Sequence, residues 1–152
     1  FYYLTKSKIK DVDMSLMDKR TYKSKRKGYI DFNGTLKVSN IKKDQLIITN
    51  YFNTSKDHIL EIHTKKFYYL FFPYKDKLYY SSKNNKKFIE KDFYQPKQSQ
   101  LTHKIAKDIL LYGKSELPTL EESYIVHRPM LKAFIDHVNS FNKIQINKCN
   151  IT

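Results

Sequence analysis

The residues of this sequence best suited to chemistry are cations that could bind phosphate groups. Six of the nine residues from Lys19 to Lys27 are basic. Like charges in succession repel one another, and an unpaired buried charge is costly, so this segment must be solvated or paired with anions. Cations that neutralise phosphates release counterions, which favours nucleic acid as the anion. We therefore predict RNA binding here, with a solvated tail as the alternative, by Lys19, Arg20, Lys23, Lys25, Arg26 and Lys27.

A second pair of cations, Lys65 and Lys66, comes directly before the aromatic run Phe67–Phe72. Aromatic residues in a strand are most often part of a core, and burial is the first expectation for this run. Tyr side chains that remain on the solvent face, interleaved with Lys, could stack on bases. We therefore add Lys65 and Lys66 to the predicted nucleic-acid-binding residues.

Catalytic and metal-binding patterns are missing from the sequence. No two of the five histidines form a His-x-x-x-His pair with Glu, and the single cysteine, Cys149, has no histidine nearby. Three glycines cannot form a glycine-rich phosphate loop, and no nucleophile motif is present. We predict no catalytic residue, no metal site and no cofactor, and hence a protein that is not an enzyme.

The charge balance points to an anionic partner. The net charge is +14, and residues 1–100 carry 22 Lys or Arg against 10 Asp or Glu, a net +12. Nucleic acid, an anionic membrane surface and an acidic protein all fit such a balance. No apolar run approaches the roughly 20 residues that a membrane-spanning helix needs.

The elements that must position the cations begin with an arm and a hairpin. Residues 1–27 are predicted to form a basic N-terminal arm. Asn33-Gly34 between two alternating segments then indicates a hairpin over residues 28–40. The shared hydrophobic face favours a three-residue loop that pairs Phe32 with Leu36 and places Asp31 opposite Lys37.

Further along the chain, the spacing of the hydrophobic residues changes from one typical of strands to one typical of helices. Strands are predicted at 45–52, within 58–72, at 78–80 and around 88–89. A helix is predicted over 99–112, with Ser99 as its N-cap and Gly113 as its C-cap. A loop over 116–123 and a second helix from Pro129 to about residue 142 follow, and Ile144 and Ile146 are expected in a closing strand.

The fold class predicted from these elements is α+β. A mainly antiparallel sheet or small open barrel of about five strands spans residues 28–90, and two amphipathic helices follow it. The predicted domains are the arm, 1–27, and a single α+β domain, 28–152.

The predicted function is that of a structural RNA-binding component of a ribonucleoprotein, namely an organellar (mitochondrial) ribosome. Its expected partners are RNA, in particular ribosomal RNA, and neighbouring proteins. The alternatives are a protein-interaction subunit of a larger assembly and a basic module on an anionic membrane or lipid headgroup. The basic charge and a chain that begins at Phe1 rather than Met predict a processed protein of the mitochondrial matrix, with the cytoplasm as the alternative. The oligomeric state is left open.

Overall fold

The computed structural model describes residues 1–51, 59–94 and 96–150, except the side chain of residue 86. The chain divides into two compact units, one formed by Phe1–Asn53 with Pro118–Thr152 and the other by Thr54–Leu117. The fold is α+β, as predicted, but its described strands form three antiparallel sheets and no closed barrel. The domain boundary predicted after residue 27 stays a prediction.

The first unit is built on a three-stranded sheet of order β1-β4-β5, accompanied by a two-stranded sheet, β2-β3. Alternation along the middle strand buries Leu36 and Val38 on one face and leaves Lys37 exposed on the other. The elements of this unit are α1 (Tyr2–Thr5), β1 (Ile9–Met17), β2 (Tyr22–Lys23), β3 (Ile30–Asp31), β4 (Gly34–Asn40), β5 (Gln45–Asn50) and α3 (Leu120–Asn139).

The core of the first unit lies between this sheet and α3. The helix packs on β1, and Val138 meets the cluster around Val38, both 1% exposed. Phe134 of the helix places its ring 4.8 Å from that of Phe32. The buried hydrophobic residues of the described chain all belong to this core: Met14, Met17, Phe32, Leu36, Val38 and Val138.

The hairpin predicted at Asn33-Gly34 is wrong in its partners. β3 pairs with β2 and β4 pairs with β1, so Asp31 lies opposite Tyr22 and Lys37 opposite Asp13. Gly34 has φ +117°, and a Cβ there would lie 2.5 Å from the backbone oxygen of Leu16. The glycine therefore allows the backbone of β4 to come close to that of β1; it is not part of a turn between two paired strands.

The strands of the three-stranded sheet that follow each other directly in the chain are β4 and β5, and a tight turn joins them. Buried Asn40 donates its side-chain Nδ2 to Asp44 Oδ2, and its Oδ1 accepts from the Asp44 backbone N–H, both at 2.8 Å. Lys43 has φ +68° inside this turn. The Asn40–Asp44 pair thus satisfies a buried polar side chain and sets the register of β5.

The basic N-terminal arm predicted for residues 1–27 is not confirmed. Ile9–Met17 is a strand that pairs with β4, and Met14 and Met17 lie in the core. Ile9, Val12, Met14 and Met17 are at least partly buried, and two register irregularities bring these unevenly spaced residues to the core. The basic run begins only after this strand.

The second unit has a four-stranded antiparallel sheet in chain order, followed by a helix. Its elements are β6 (Leu60–His63), β7 (Phe67–Phe72), a 3-10 turn (Pro73–Lys75), β8 (Lys77–Ser82), β9 (Asn85–Asp92) and α2 (Gln98–Tyr112). The predicted helix is present, and Gly113 ends it with φ +65°. Its N-cap is Lys97 and not Ser99: the Lys97 backbone N–H donates to the Gln100 side-chain Oε1 at 2.9 Å, and the Gln100 N–H donates to the Lys97 carbonyl at 2.9 Å.

The second predicted helix begins nine residues earlier than expected, at Leu120. Thr119 and Glu122 form a capping box there, and Pro129 lies inside the helix. The segment with Ile144 and Ile146 forms no strand. Instead, the Asn139 side chain donates to the Ile146 carbonyl at 3.0 Å and accepts from the Ile146 N–H at 2.8 Å, which ties this segment to the end of α3.

Candidate nucleic-acid interface

The six predicted cations of the first unit lie in and just before a short hairpin formed by β2 and β3. The Ser24 N–H donates to the Tyr29 carbonyl, and the Tyr29 N–H donates to the Arg26 carbonyl, both at 3.2 Å. Gly28 has φ +84° in this turn. We call residues 18–31 the basic hairpin; its local hydrogen bonds give the cation run a defined backbone.

The entry to the basic hairpin is organised around the carboxylate of Asp18. Tyr22 donates its hydroxyl to Asp18 Oδ2, and the Asn33 amide donates to the same oxygen at 3.0 Å. Arg20 adds a bond from Nε to the Tyr22 oxygen, at 2.6 Å. The Tyr22 hydrogen bond holds the pKa of Asp18 below its usual value, and Asp18 in turn raises the pKa of Tyr22.

Two distant parts of the chain fix the basic hairpin from behind. His137 of α3 places its Nε2 2.9 Å from the Asp18 carbonyl oxygen. The Asn150 carbonyl accepts from the Ile30 N–H at 2.8 Å, and the Asn150 amide donates to the Gly28 carbonyl at 3.4 Å. These bonds join residues more than 100 positions apart, so the hairpin is held by the tertiary structure.

The cations of the basic hairpin point to solvent. Lys19, Lys23, Lys25 and Lys27 are exposed, and in the part of the chain that the structure describes no carboxylate lies within 4.0 Å of their amines. Arg20 is 71% exposed and reaches Asp18 at 3.7 Å. Unpaired exposed cations can neutralise phosphates without first breaking an internal ion pair.

Both arginines of the basic hairpin lie over tyrosine rings. The guanidinium of Arg20 is 4.7 Å from the centre of the Tyr22 ring, and that of Arg26 is 5.3 Å from the Tyr29 ring. Such contacts hold a planar cation beside a planar ring, and both groups can stack on a nucleobase. The predicted binding residues were all cations and did not include these two tyrosines. Their position within a run of basic residues could have indicated them, because such rings can stack on bases.

Lys65 and Lys66, the other predicted pair, lie in the turn between β6 and β7 of the second unit. Both are exposed. Thr64 shapes the turn, because its Oγ1 accepts from the Phe67 N–H at 2.9 Å and donates to the Phe67 carbonyl at 3.0 Å. The structure thus assigns these two lysines and the basic hairpin to different units.

The aromatic strand β7 carries rings on both faces of its sheet, and none is fully buried. On one face Tyr68 donates to Glu61 at 3.0 Å, and partial burial together with this bond raises the pKa of Tyr68. Lys77, on the same face, bonds Asp92 and Glu90 at 2.8 and 2.6 Å, which raises its pKa. Carboxylates beside the rings make this face a poor surface for phosphates.

The opposite face of the same sheet combines neutral rings with the amine of Lys91. Tyr69 stacks on Tyr80 with centres 6.2 Å apart and on Phe71 at 6.4 Å. The amine of Lys91 lies 5.8 Å above the Tyr80 ring. Partly exposed rings beside an amine form a surface on which bases can stack; the predicted stacking by tyrosines next to Lys65 and Lys66 stays a prediction.

One shallow depression of about 380 Å³ lies on the carboxylate-bearing face of that sheet. Its lining is mainly apolar and includes one basic residue, Lys75: Leu70, Phe72, Lys75, Tyr79 and Phe88. A single cation does not make the tight lysine pocket that a phosphorylated headgroup requires. The described residues also contain no group of three or more His, Cys, Asp or Glu side chains that could hold a metal ion.

Comparison with known proteins gives no family, because no family model, curated protein or solved structure matches this chain. Within the described ranges, no helix is long and apolar enough to cross a membrane.

Proposed function

We propose that this protein is a structural RNA-binding component of a ribonucleoprotein and that it has no catalytic activity. The observation that carries the proposal is the basic hairpin, which combines exposed lysines with two arginine–tyrosine contacts on a backbone held by α3 and Asn150. A preformed cation surface binds phosphates with a smaller loss of conformational entropy than a free tail.

The setting proposed for this activity is an organellar ribosome, that of the mitochondrion, with ribosomal RNA and neighbouring proteins as partners and the mitochondrial matrix as the compartment. The net charge of +14 supports an RNA-rich assembly. The described hydrophobic residues of the second unit support neighbouring proteins, because none of them is buried and Leu110 and Leu111 of α2 are 84% and 61% exposed. Proteins that stand alone rarely leave contiguous apolar surface uncovered.

The exposed helix also favours a second candidate, a protein-interaction subunit whose charge serves solubility. The two candidates differ in what the basic hairpin does. Under the first, its cations bind RNA; under the second, they can be neutralised without effect on RNA affinity.

The experiment compares two variants that lose the same charge. In one, Lys19, Lys23, Lys25 and Lys27 are replaced by Gln; in the control, the exposed Lys87, Lys107, Lys114 and Lys143 are replaced by Gln. Affinity for two unrelated single-stranded RNAs is measured over a salt titration. The hairpin variant should weaken binding to both RNAs alike, because phosphate contacts carry no sequence information.

The salt dependence gives the second readout. The slope of log affinity against log salt should flatten by about 0.7 for each phosphate that the variant no longer neutralises. Equal slopes and affinities for both variants would contradict the RNA-binding role of the hairpin and favour the interaction subunit. Binding of the wild-type chain to anionic vesicles but to neither RNA would instead favour the membrane-surface alternative.

A further inference from the structure

The edges of the described sheets differ in how they are protected against pairing with another strand. An unpaired edge strand offers free backbone N–H and C=O groups, and proteins usually block it with charges, bulges or short length. β1 carries Lys10, Asp11 and Asp13 and has two irregularities in its register. β6 has four residues and contains Glu61, and β9 carries four described charged residues: Lys87, Glu90, Lys91 and Asp92.

β5 has none of these protections. It is an edge strand of the three-stranded sheet, its six residues are Gln-Leu-Ile-Ile-Thr-Asn, and its pairing with β4 runs without a bulge. Ile47 and Ile48 point to opposite faces and are 56% and 46% exposed. An uncharged, regular strand with exposed β-branched residues is an edge suited to strand addition.

The hydrophobic face of this sheet is also incompletely covered at β5. α3 packs on β1, at the opposite edge of the sheet. Ile48 lies opposite buried Leu36, and Leu46 opposite buried Val38, so both belong to the core face. Ile48 nevertheless stays about half exposed, and a strand added at this edge would bring apolar neighbours to it.

We propose that β5 pairs antiparallel with β5 of a second copy of this chain. Two identical antiparallel strands are related by a twofold axis perpendicular to the sheet. A residue on this axis lies opposite the same residue of the second copy. The core faces of both copies then lie on the same side of the combined sheet. With Ile47 on the axis, Ile47 meets Ile47, Leu46 meets Ile48, and Gln45 meets Thr49. Every apolar residue then has an apolar partner.

The hydrogen-bond phase of the β4–β5 ladder agrees with this register. The Asn40 N–H donates to the Asp44 carbonyl at 3.1 Å. Hydrogen-bonded pairs alternate along an antiparallel ladder, so the backbone groups of Leu46 and Ile48 face β4. Those of Gln45, Ile47 and Thr49 face outward, and these are the residues that the twofold register pairs by hydrogen bonds.

Long-range charge opposes this association. Each copy carries a net +14, and the exposed Lys42 and Lys43 precede the strand. Added salt screens such repulsion, since the Debye length falls from about 10 Å at 0.1 M to about 3 Å at 1 M. Dimerisation should therefore strengthen with salt, in the opposite direction to RNA binding, and the two activities can be tested separately.

The test is sedimentation equilibrium of the full, RNA-free chain at low and high salt. Ile47→Glu places two carboxylates opposite each other on the axis, while Lys37 on β4 can pair with the new carboxylate inside each copy. Thr49→Pro removes an outward N–H and keeps the backbone hydrogen bonds between β5 and β4; it also removes the 3.0 Å hydrogen bond between the Thr49 and Thr35 hydroxyls. Leu16→Glu is the matched control, because Leu16 is 55% exposed on β1, at the other edge of the sheet.

We expect the wild-type chain and the Leu16→Glu variant to dimerise more tightly at high salt. The Ile47→Glu and Thr49→Pro variants should raise the dimer dissociation constant at least tenfold while they keep the wild-type circular dichroism and RNA affinity. A wild-type chain that stays monomeric at high salt and several hundred micromolar would overturn the proposal. So would variants at Ile47 and Thr49 that dimerise as the wild type does.

Discussion

The imidazole Nε2 of His137 lies 2.9 Å from the backbone carbonyl oxygen of Asp18, 119 positions away in the sequence. The ring of His137 also packs near Phe141 and Phe32, with ring centres 5.3 and 6.2 Å apart. α3 therefore fixes the point at which the chain leaves β1 and enters the basic hairpin. Substitutions at these and neighbouring positions test this framework and the chemistry proposed for it.

Replacing His137 by Phe keeps the ring packing and removes the bond to Asp18. The free energy of unfolding should fall by about 1 kcal/mol, the usual net contribution of such a hydrogen bond. Urea titration measures this change. His103→Phe, at an exposed position of α2, is the control and should have little effect on stability; equal losses in both variants would contradict the role given to His137.

Gly34→Ala should destabilise the first unit strongly. The new Cβ would lie 2.5 Å from Leu16 O and 2.8 Å from Met17 Cα, at a φ of +117°. We expect a loss of about 3 kcal/mol, the upper range for a strained backbone position. Gly113→Ala is the matched control, since it shares a positive φ but meets no atom within 4 Å; thermal unfolding should show a clearly smaller loss for it.

Phe134→Ala should remove the main packing of α3 against Phe32. The ring is half-buried, so we expect a loss of about 3 kcal/mol, at the lower end of the range for such truncations. Leu110→Ala, at a position 84% exposed, should change the free energy of unfolding by less than about 0.5 kcal/mol. Similar losses for the two variants in urea titration would show that Phe134 is not part of the core.

The free energy of unfolding of the first unit should fall in acid because of Asp18. Its folded pKa lies below its ordinary value, so the unfolded chain binds more protons between the two values. The stabilisation is therefore complete above the ordinary pKa of about 3.9 and is lost as the pH falls through the lower folded value. The free energy of unfolding, measured from pH 6 to pH 2, should depend less on pH in Asp18→Asn than in the wild type. The same pH dependence in both would contradict the lowered pKa of Asp18.

Tyr29→Ala should weaken binding to single-stranded RNA by about tenfold, since stacking on one base contributes about 1–3 kcal/mol. The slope of affinity against salt should stay the same, because the ring carries no charge. Tyr124→Ala, which also removes a ring beside an arginine, is the control on α3. A changed salt slope would mean that the Tyr29 variant acts by misplacing the cations instead.

Local signals were sufficient for much of the second unit. The strands around Leu60, Phe67, Leu78 and Phe88 and the helix that ends at Gly113 agree with the pattern of the sequence, because each strand pairs with the next along the chain. Hydrophobic periodicity and turn residues are patterns of a few neighbouring positions. They are sufficient here because each strand of this sheet pairs with a strand close to it in the sequence. The predicted cations Lys65 and Lys66 lie in the turn between β6 and β7.

The sequence by itself was sufficient to derive the α+β class, the net charge, and the concentration of basic residues from Lys19 to Lys27. Only the tertiary structure decided that Ile9–Met17 is a core strand, that Gly34 meets β1, and that the basic hairpin is tied to His137 and Asn150. Strand partners and such bonds depend on residues up to 122 positions apart. Their choice is set by the burial of a shared core and the pairing of its polar groups, which no short window of sequence contains.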